Sequence, residues 1–159
     1  MSTLIIFGAK YLIFVLIAIA LVWFVRQARE KQKQIAIFAI ITLPAAYLVA
    51  KISSMFYYDP RPFVIGNSTP LISHVADNGF PSDHTLLSAA IASVVYYFDK
   101  KVGVILFVLA LLVGAARVLA GVHHSVDIFG SLVIAVVVAW FIYKLIFTRI
   151  LKRKIYKKM

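Results

Sequence analysis

The polar and apolar positions of this chain fall into long blocks rather than a short period. Five apolar stretches run roughly over residues 3–25, 35–57, 83–98, 102–121 and 125–147, against about 20 residues needed to cross a bilayer core. Each stretch is predicted to be an α-helix, because backbone polar groups in hydrocarbon must be satisfied within their own segment. Leu43-Pro44 predicts a bend in the second, since proline removes a donor and crowds the preceding turn. The first stretch is longer than a signal-peptide core and lacks a small-residue cleavage site, so it is read as retained. One substantial polar loop, 58–82, interrupts the pattern and carries Pro60, Pro62, Gly66, Pro70, Gly79 and Pro81. No repeat or interdomain linker breaks the chain, which reads as one all-α integral membrane domain over 1–159, a bundle of five transmembrane helices.

Composition agrees. Of 159 residues, 63% are hydrophobic and 14% charged, where a soluble domain has about 45–50% and about 25%. With no cysteine, disulfides, thiolate catalysis and cysteine-ligated zinc are excluded. The net charge of +11 raises nucleic acid as a partner. Its distribution argues otherwise. If the helices alternate, Arg26, Arg29, Lys31, Lys33, Lys100, Lys101, Lys144, Arg149, Lys152, Arg153, Lys154, Lys157 and Lys158 share one side. These are 13 of the 17 basic residues, so that side is cytoplasmic by the positive-inside rule and the N-terminus lies outside. The excess charge is a topology signal with some attraction to anionic headgroups. Lys10 reads as a snorkelling side chain.

The opposite face carries the chemistry. His74, His84, His123 and His124 fall there with Asp59, Asp77, Asp83, Asp127, Arg61 and Arg117, while Lys51 approaches from inside the second helix. Ionisable groups beside spanning helices are costly and mark function by default. Arg61, between two prolines, is predicted in an extended turn. Its guanidinium can fork two phosphate oxygens or, on the plainer reading, touch lipid headgroups. Pro81-Ser82 before an apolar run predicts a helix start with Ser82 near the N-cap. The first-turn amides would then favour an anion, with His84 beside them as a proton donor or merely an interfacial histidine. In "ARVLAGVHHSVD", His123 and Asp127 are four apart and share a face if the last helix begins near His123. A carboxylate on one ring nitrogen leaves the other free as a nucleophile. The same spacing suits zinc, although the surrounding positive charge suits an anion better. Arg117 lies six residues before His123 and can reach the same anion, whereas His124 points about 100° away on a helix and reads as structural.

Arg61-Pro62, then Pro81-Ser82-Asp83-His84, then Arg117 with His123 and Asp127 resemble, in order and spacing, the type 2 phosphatidic acid phosphatase family of membrane lipid phosphatases. The resemblance covers roughly residues 45–145. It implies a metal-free, cofactor-free two-step transfer: His123 attacks phosphorus, Asp127 orients it, His84 protonates the leaving group, and Lys51, Arg61, Ser82 and Arg117 stabilise the charged transition state. Three positions depart from the family pattern. The family lysine falls on Ser54, with Lys51 about one turn away; the serine before the second arginine is Ala116; the motif glycine is Asp83. Asp83, with "PRPFV" and "HVADNGFPSDH", is similar to the bacterial undecaprenyl pyrophosphate phosphatase branch, the bacitracin-resistance type. Asp83 would then help hold His84 or a diphosphate-bound partner.

The family core has six spans with a cytoplasmic N-terminus, so five spans with the N-terminus outside equal that core minus its first helix. Loop 58–82, with Phe63, Val64, Ile65, Leu71 and Ile72, is expected either to gate the pocket or to anchor at the surface. The expected reaction is undecaprenyl diphosphate to undecaprenyl phosphate plus phosphate, at the outer face of the cell membrane, recycling the cell-wall carrier. The alternatives are a phosphatase for phosphatidylglycerol phosphate, phosphatidic acid or lipid A, or a lipid-phosphate binder or transporter without turnover. A binder needs arginines but neither a nucleophile nor an acid.

Overall fold

The computed structural model describes residues 1–66 and 69–147, and every described element is helical. In chain order these are α1 (Ser2–Lys10), α2 (Leu12–Val25), α3 (Arg29–Phe56), the short α4 (Pro62–Ile65), α5 (Asp83–Phe98), α6 (Lys100–Leu119) and α7 (Ser125–Ile142), which runs into a π-helical turn over Tyr143–Phe147. Three segments are long and apolar enough to cross a membrane: Arg29–Phe56, Lys100–Leu119 and Ser125–Leu145. The bent pair α1–α2 makes up to four. At 16 residues α5 is shorter, about 24 Å at 1.5 Å per residue. The tail basic residues Arg149, Lys152, Arg153, Lys154, Lys157 and Lys158 lie outside the described residues.

The shortest of the long helices beyond α2 occupies the centre. Packed against α2, α3, α6 and α7, α5 buries Ser88, Ala89, Ala90, Ala92 and Ser93. Small side chains let neighbouring backbones approach closely where lipid supplies no hydrophobic drive between helices. The outer surface inverts the soluble pattern. Leu21, Ile40, Leu48, Val104, Leu111 and Val137 are exposed, while Thr42, Ser88, Ser131 and Asp127 are fully buried. At the basic end, Asp99 caps α6 by accepting from the Val102 N–H and also takes the Trp23 indole N–H at 3.1 Å, tying α2 to the α5–α6 link.

Two boundaries differ from the sequence reading. The first apolar stretch is not one straight helix, since α1 and α2 meet at 48°. The Ala9 carbonyl at that break accepts from Arg117 Nη1 at 3.4 Å, and Ala9 packs with Ala116 and Ala120. The bend thus coincides with a contact 108 residues away. Pro44 lies inside α3 without ending it. Helix α3 also begins at Arg29, six residues before its apolar stretch, where Lys33 pairs with Glu30 one turn back.

Candidate active site

The loops at one end of the bundle enclose a cavity of about 260 Å³. Its wall includes Lys51 and Ser54 of α3, Arg61, His74 and Asp77 of the long loop, Asp83 and His84 of α5, Arg117 of α6 and His123. Of the residues singled out from sequence, Lys51, Arg61, Asp83, His84, Arg117 and His123 therefore converge on one space. Asp127 stands directly behind His123. Ser82 is the exception: it occupies the N-cap position of α5, but it is fully buried and absent from the cavity wall. Its hydroxyl accepts from Thr85 Oγ1 at 3.3 Å, and its carbonyl accepts from Ser131 Oγ at 3.0 Å.

His123 does not lie on α7. The helix begins at Ser125, and His123 sits in the preceding loop, so the expected same-face pairing forms across a helix start instead. Asp127 Oδ2 accepts from His123 Nδ1 at 3.1 Å and from the His124 backbone N–H at 2.9 Å. On the other edge of the ring, Arg61 Nη1 lies 3.3 Å from His123 Nε2. A guanidinium only donates and a carboxylate only accepts. Nε2 is therefore the acceptor, Nδ1 carries the proton, and the lone pair of a neutral imidazole is directed at Arg61 on the cavity wall. His123 is 3% exposed, and burial pushes its pKa down from the usual histidine value, with Arg117 and Arg61 pushing the same way against Asp127. It is held as a neutral base.

Arg61 is held in the extended conformation that its flanking prolines predict (φ −60°, ψ 150°). Its Nη1 donates to the Val122 carbonyl at 2.7 Å and its Nε to Asp77 Oδ1 at 2.7 Å. Burial raises the Asp77 carboxyl, but the Arg61 bond and charge outweigh it and leave the pKa below its usual value. Arg117 is 3% exposed, and its Nε is buried with no hydrogen-bond partner among the described residues. A desolvated cationic donor without an acceptor is a costly feature that an oxyanion would satisfy. Lys51, half-exposed, lies 4.0 Å from Asp83 on the cavity rim.

Several contributors carry no assigned role in the sequence reading. His74 lines the wall with its ring centroid 6.1 Å from that of His123, edge to face. Asn78 ties the loop together: it donates to the Ser54 and Tyr57 carbonyls and accepts from the Asp59 and Phe80 N–H groups. Gly79 leaves little room for a side chain, because a Cβ there would lie 3.0 Å from Asp127 Oδ2 and 3.1 Å from the Asp59 carbonyl. No helical or strand period marks these positions in loop 58–82. Of the loop's apolar residues, Ile72 is buried while Val64, Ile65 and Leu71 face outward.

Asp59, His124 and Asp127 bring donor atoms within 4.8 Å of one another, a grouping that could hold a metal ion but does not include the His123 of the zinc alternative. The donors are engaged with each other instead. Asp59 Oδ2 and His124 Nδ1 are 2.7 Å apart, closer than the roughly 3.3 Å between two ligands about 2.0 Å from a tetrahedral ion. Asp127 Oδ2 already accepts two N–H bonds. As they stand, the three form a hydrogen-bond network.

A buried, singly oriented histidine beside two guanidinium groups at the end of an apolar helix bundle defines a membrane protein built to handle an oxyanion. Residues 33–151 match the PAP2 superfamily model, and the chain belongs to that superfamily of lipid phosphatases. It is 32% identical over 146 residues to undecaprenyl-diphosphatase BcrC of Bacillus subtilis (strain 168), covering 91% of this chain and 74% of the relative. To bacitracin transport permease protein BcrC of Bacillus licheniformis it is 34% identical over 138 residues, covering 86% and 68%. Its fold superposes on the crystal structure of Aquifex aeolicus LpxE with a TM-score of 0.67 at 26% identity, covering 88% of this chain and 81% of that one. The chain is thus a multi-pass membrane protein of a phosphatase family.

Proposed function

We propose that this protein hydrolyses undecaprenyl diphosphate to undecaprenyl phosphate and inorganic phosphate through a phosphohistidine on His123, without a metal. The observation that carries the reading is the tautomer of His123, set by Asp127 at 3.1 Å on one nitrogen and Arg61 at 3.3 Å on the other. In the first step, Arg61 Nη1 turns from His123 to a phosphoryl oxygen, and the Nε2 lone pair so released attacks the terminal phosphorus. The bond from that phosphorus to the bridging oxygen breaks, and undecaprenyl phosphate leaves, with His84, which enters the step as the imidazolium beside the anionic substrate, supplying a proton to the departing oxygen and ending neutral. Positive charge develops on the imidazole and is balanced by Asp127. Arg61, Arg117 and Lys51 meet the charge on the phosphoryl oxygens. In the second step, water attacks the phosphohistidine, His84 takes its proton, and the N–P bond breaks to release phosphate.

Diphosphate is the favoured substrate because the relative named undecaprenyl-diphosphatase shares 32% identity over most of this chain. Asp83, 4.0 Å from Lys51 on the rim, is assigned to positioning that lysine, and Ser82 to holding the start of α5 in place behind the wall. We place the cavity at the outer membrane face, with five spans and the N-terminus outside, on the distribution of basic residues.

The test is phosphate release by purified protein in detergent, with chelator, from undecaprenyl diphosphate, phosphatidylglycerol phosphate and phosphatidic acid. Fastest release from the diphosphate, unaffected by chelator and abolished by His123→Ala, is expected. Preference for a monophosphate overturns the substrate. Loss with chelator, or retained activity in His123→Ala, overturns the mechanism.

A further inference from the structure

Asp59 and His124 are not among the residues through which the chain resembles its family, yet they make one of the shortest side-chain contacts at the site. Asp59 Oδ2 lies 2.7 Å from His124 Nδ1, and both side chains are largely sheltered. The carboxylate can only accept, so His124 Nδ1 carries the proton.

The meaning of this pair comes from its place. Asp59 is two residues before Arg61, and His124 is one residue after His123 and two after Val122. Two tripeptides, 59–61 and 122–124, are thus stapled at both ends. At one end Arg61 Nη1 donates to the Val122 carbonyl at 2.7 Å; at the other, His124 donates to Asp59 at 2.7 Å. The Asp59 backbone is itself pinned: its carbonyl accepts from the Gly79 N–H at 2.8 Å and its N–H donates to Asn78 Oδ1 at 2.9 Å. His124 is equally fixed, because its N–H donates to Asp127 Oδ2.

We infer that the Asp59–His124 hydrogen bond is a positioning latch that sets the distance between the Arg61 guanidinium and the His123 nucleophile. The inference rests on the reaction proposed above. Neither residue touches the reacting atoms; each acts through the residue beside it. With the bond intact, the two segments keep one register, so the cationic fork and the nucleophile meet the same phosphoryl group. With it cut, both remain attached only at the Arg61 end, and the loop bearing His123 gains freedom. A displacement of about 1 Å at a reacting group costs on the order of 10²-fold in rate. A latch of this kind acts on the chemical step more than on substrate binding, which Arg61 and Arg117 retain.

The test compares wild type with Asp59→Ala, Asp59→Asn, His124→Ala, His124→Asn and the double alanine variant, using undecaprenyl diphosphate in detergent. The asparagine variants preserve the bond. In Asp59→Asn the side-chain carbonyl oxygen can accept as the carboxylate does, and in His124→Asn the side-chain amide can donate from near the Nδ1 position. Expected are an approximately 10- to 100-fold lower kcat for either alanine variant with KM within about 3-fold, and recovery to within about 5-fold in either asparagine variant. The double variant should be no slower than the slower single one, since both remove the same contact. Unchanged kcat in Asp59→Ala, additive losses, a loss expressed in KM, or failure of both asparagine rescues overturns the latch. Melting temperatures identify any alanine variant that merely unfolds, in which case the rescue pair decides. If wild type turns over without a phosphohistidine, the proposed reaction fails while the kcat series still decides the latch.

Discussion

Asp127→Asn separates the two jobs proposed for the carboxylate behind His123, fixing the tautomer and balancing charge. Asp127 Oδ2 accepts both the His123 Nδ1–H and the His124 N–H, while Oδ1 is buried without a partner among the described residues. An asparagine can place its carbonyl oxygen where Oδ2 stands and its amide in the Oδ1 position. Both hydrogen bonds and the tautomer survive, and one unpaired buried acceptor is exchanged for an unpaired donor. Folding stability should change little. The rate should not survive, because attack by Nε2 makes the ring cationic 3.1 Å from what is then a neutral amide. Two unit charges at that distance interact by about 5 kcal/mol at an effective dielectric constant of about 20. A transition state in which the N–P bond is roughly half formed develops roughly half of that charge, so about 2–3 kcal/mol of stabilisation is lost, or about 30- to 150-fold in the phosphorylation rate. Asp127→Ala also strands both N–H donors and should lower melting temperature as well as rate. Rapid-quench measurement of phosphoenzyme formation, paired with melting curves, is the assay. Phosphorylation by Asp127→Asn within about 3-fold of wild type, at an unchanged melting temperature, refutes the charge-balancing role.

Other consequences can be checked directly. Gly79→Ala forces a Cβ to 3.0 Å from Asp127 Oδ2; about 1–2 kcal/mol of destabilisation and about a 10-fold fall in kcat are expected from denaturation and turnover assays. The pKa of His123 is lowered mainly by burial, so the neutral nucleophile persists as pH falls through the ordinary histidine value of about 6.5. The acidic limb of kcat/KM should therefore lie below that value, and Asp127→Asn, which removes an influence that raises it, should move it lower still. His84→Ala should cost about 10²-fold on a lipid diphosphate and nearer 10⁴-fold on a lipid monophosphate, within the range of general-acid contributions, because a phosphate monoester departs with less protonation than an alkoxide. Equal losses on both substrates would remove His84 from the leaving-group step.

What is legible in the sequence divides along a physical line. The convergence of Arg61, His84, Arg117, His123 and Asp127 can be read because expensive ionisable groups stand beside apolar runs, at spacings that a helix end or a proline turn can orient. The apolar stretches locate the helices for the same reason, since lipid forces backbone bonding within each segment. The bend between α1 and α2 is hidden, because nothing in the apolar run marks the point where Arg117 reaches the Ala9 carbonyl across the fold. For Ser82 the sequence gives the right place in the chain but the wrong surroundings: its hydroxyl turns toward Thr85, away from the cavity wall. His74, Asn78 and the Asp59–His124 pair sit in loops, where no period announces which side chains will meet. A helical His124 would turn away from the site; its actual position just before α7 brings it to Asp59.

The central claim is that His123 carries the phosphoryl group. Rapid acid-free quenching of enzyme with undecaprenyl diphosphate labelled at the terminal phosphate, followed by mapping of the labelled peptide, tests this directly. The expected result is a label on His123 that is stable in alkali, labile in acid, formed in the presence of chelator and absent from His123→Ala. Turnover with no labelled protein, or label on another residue, contradicts it.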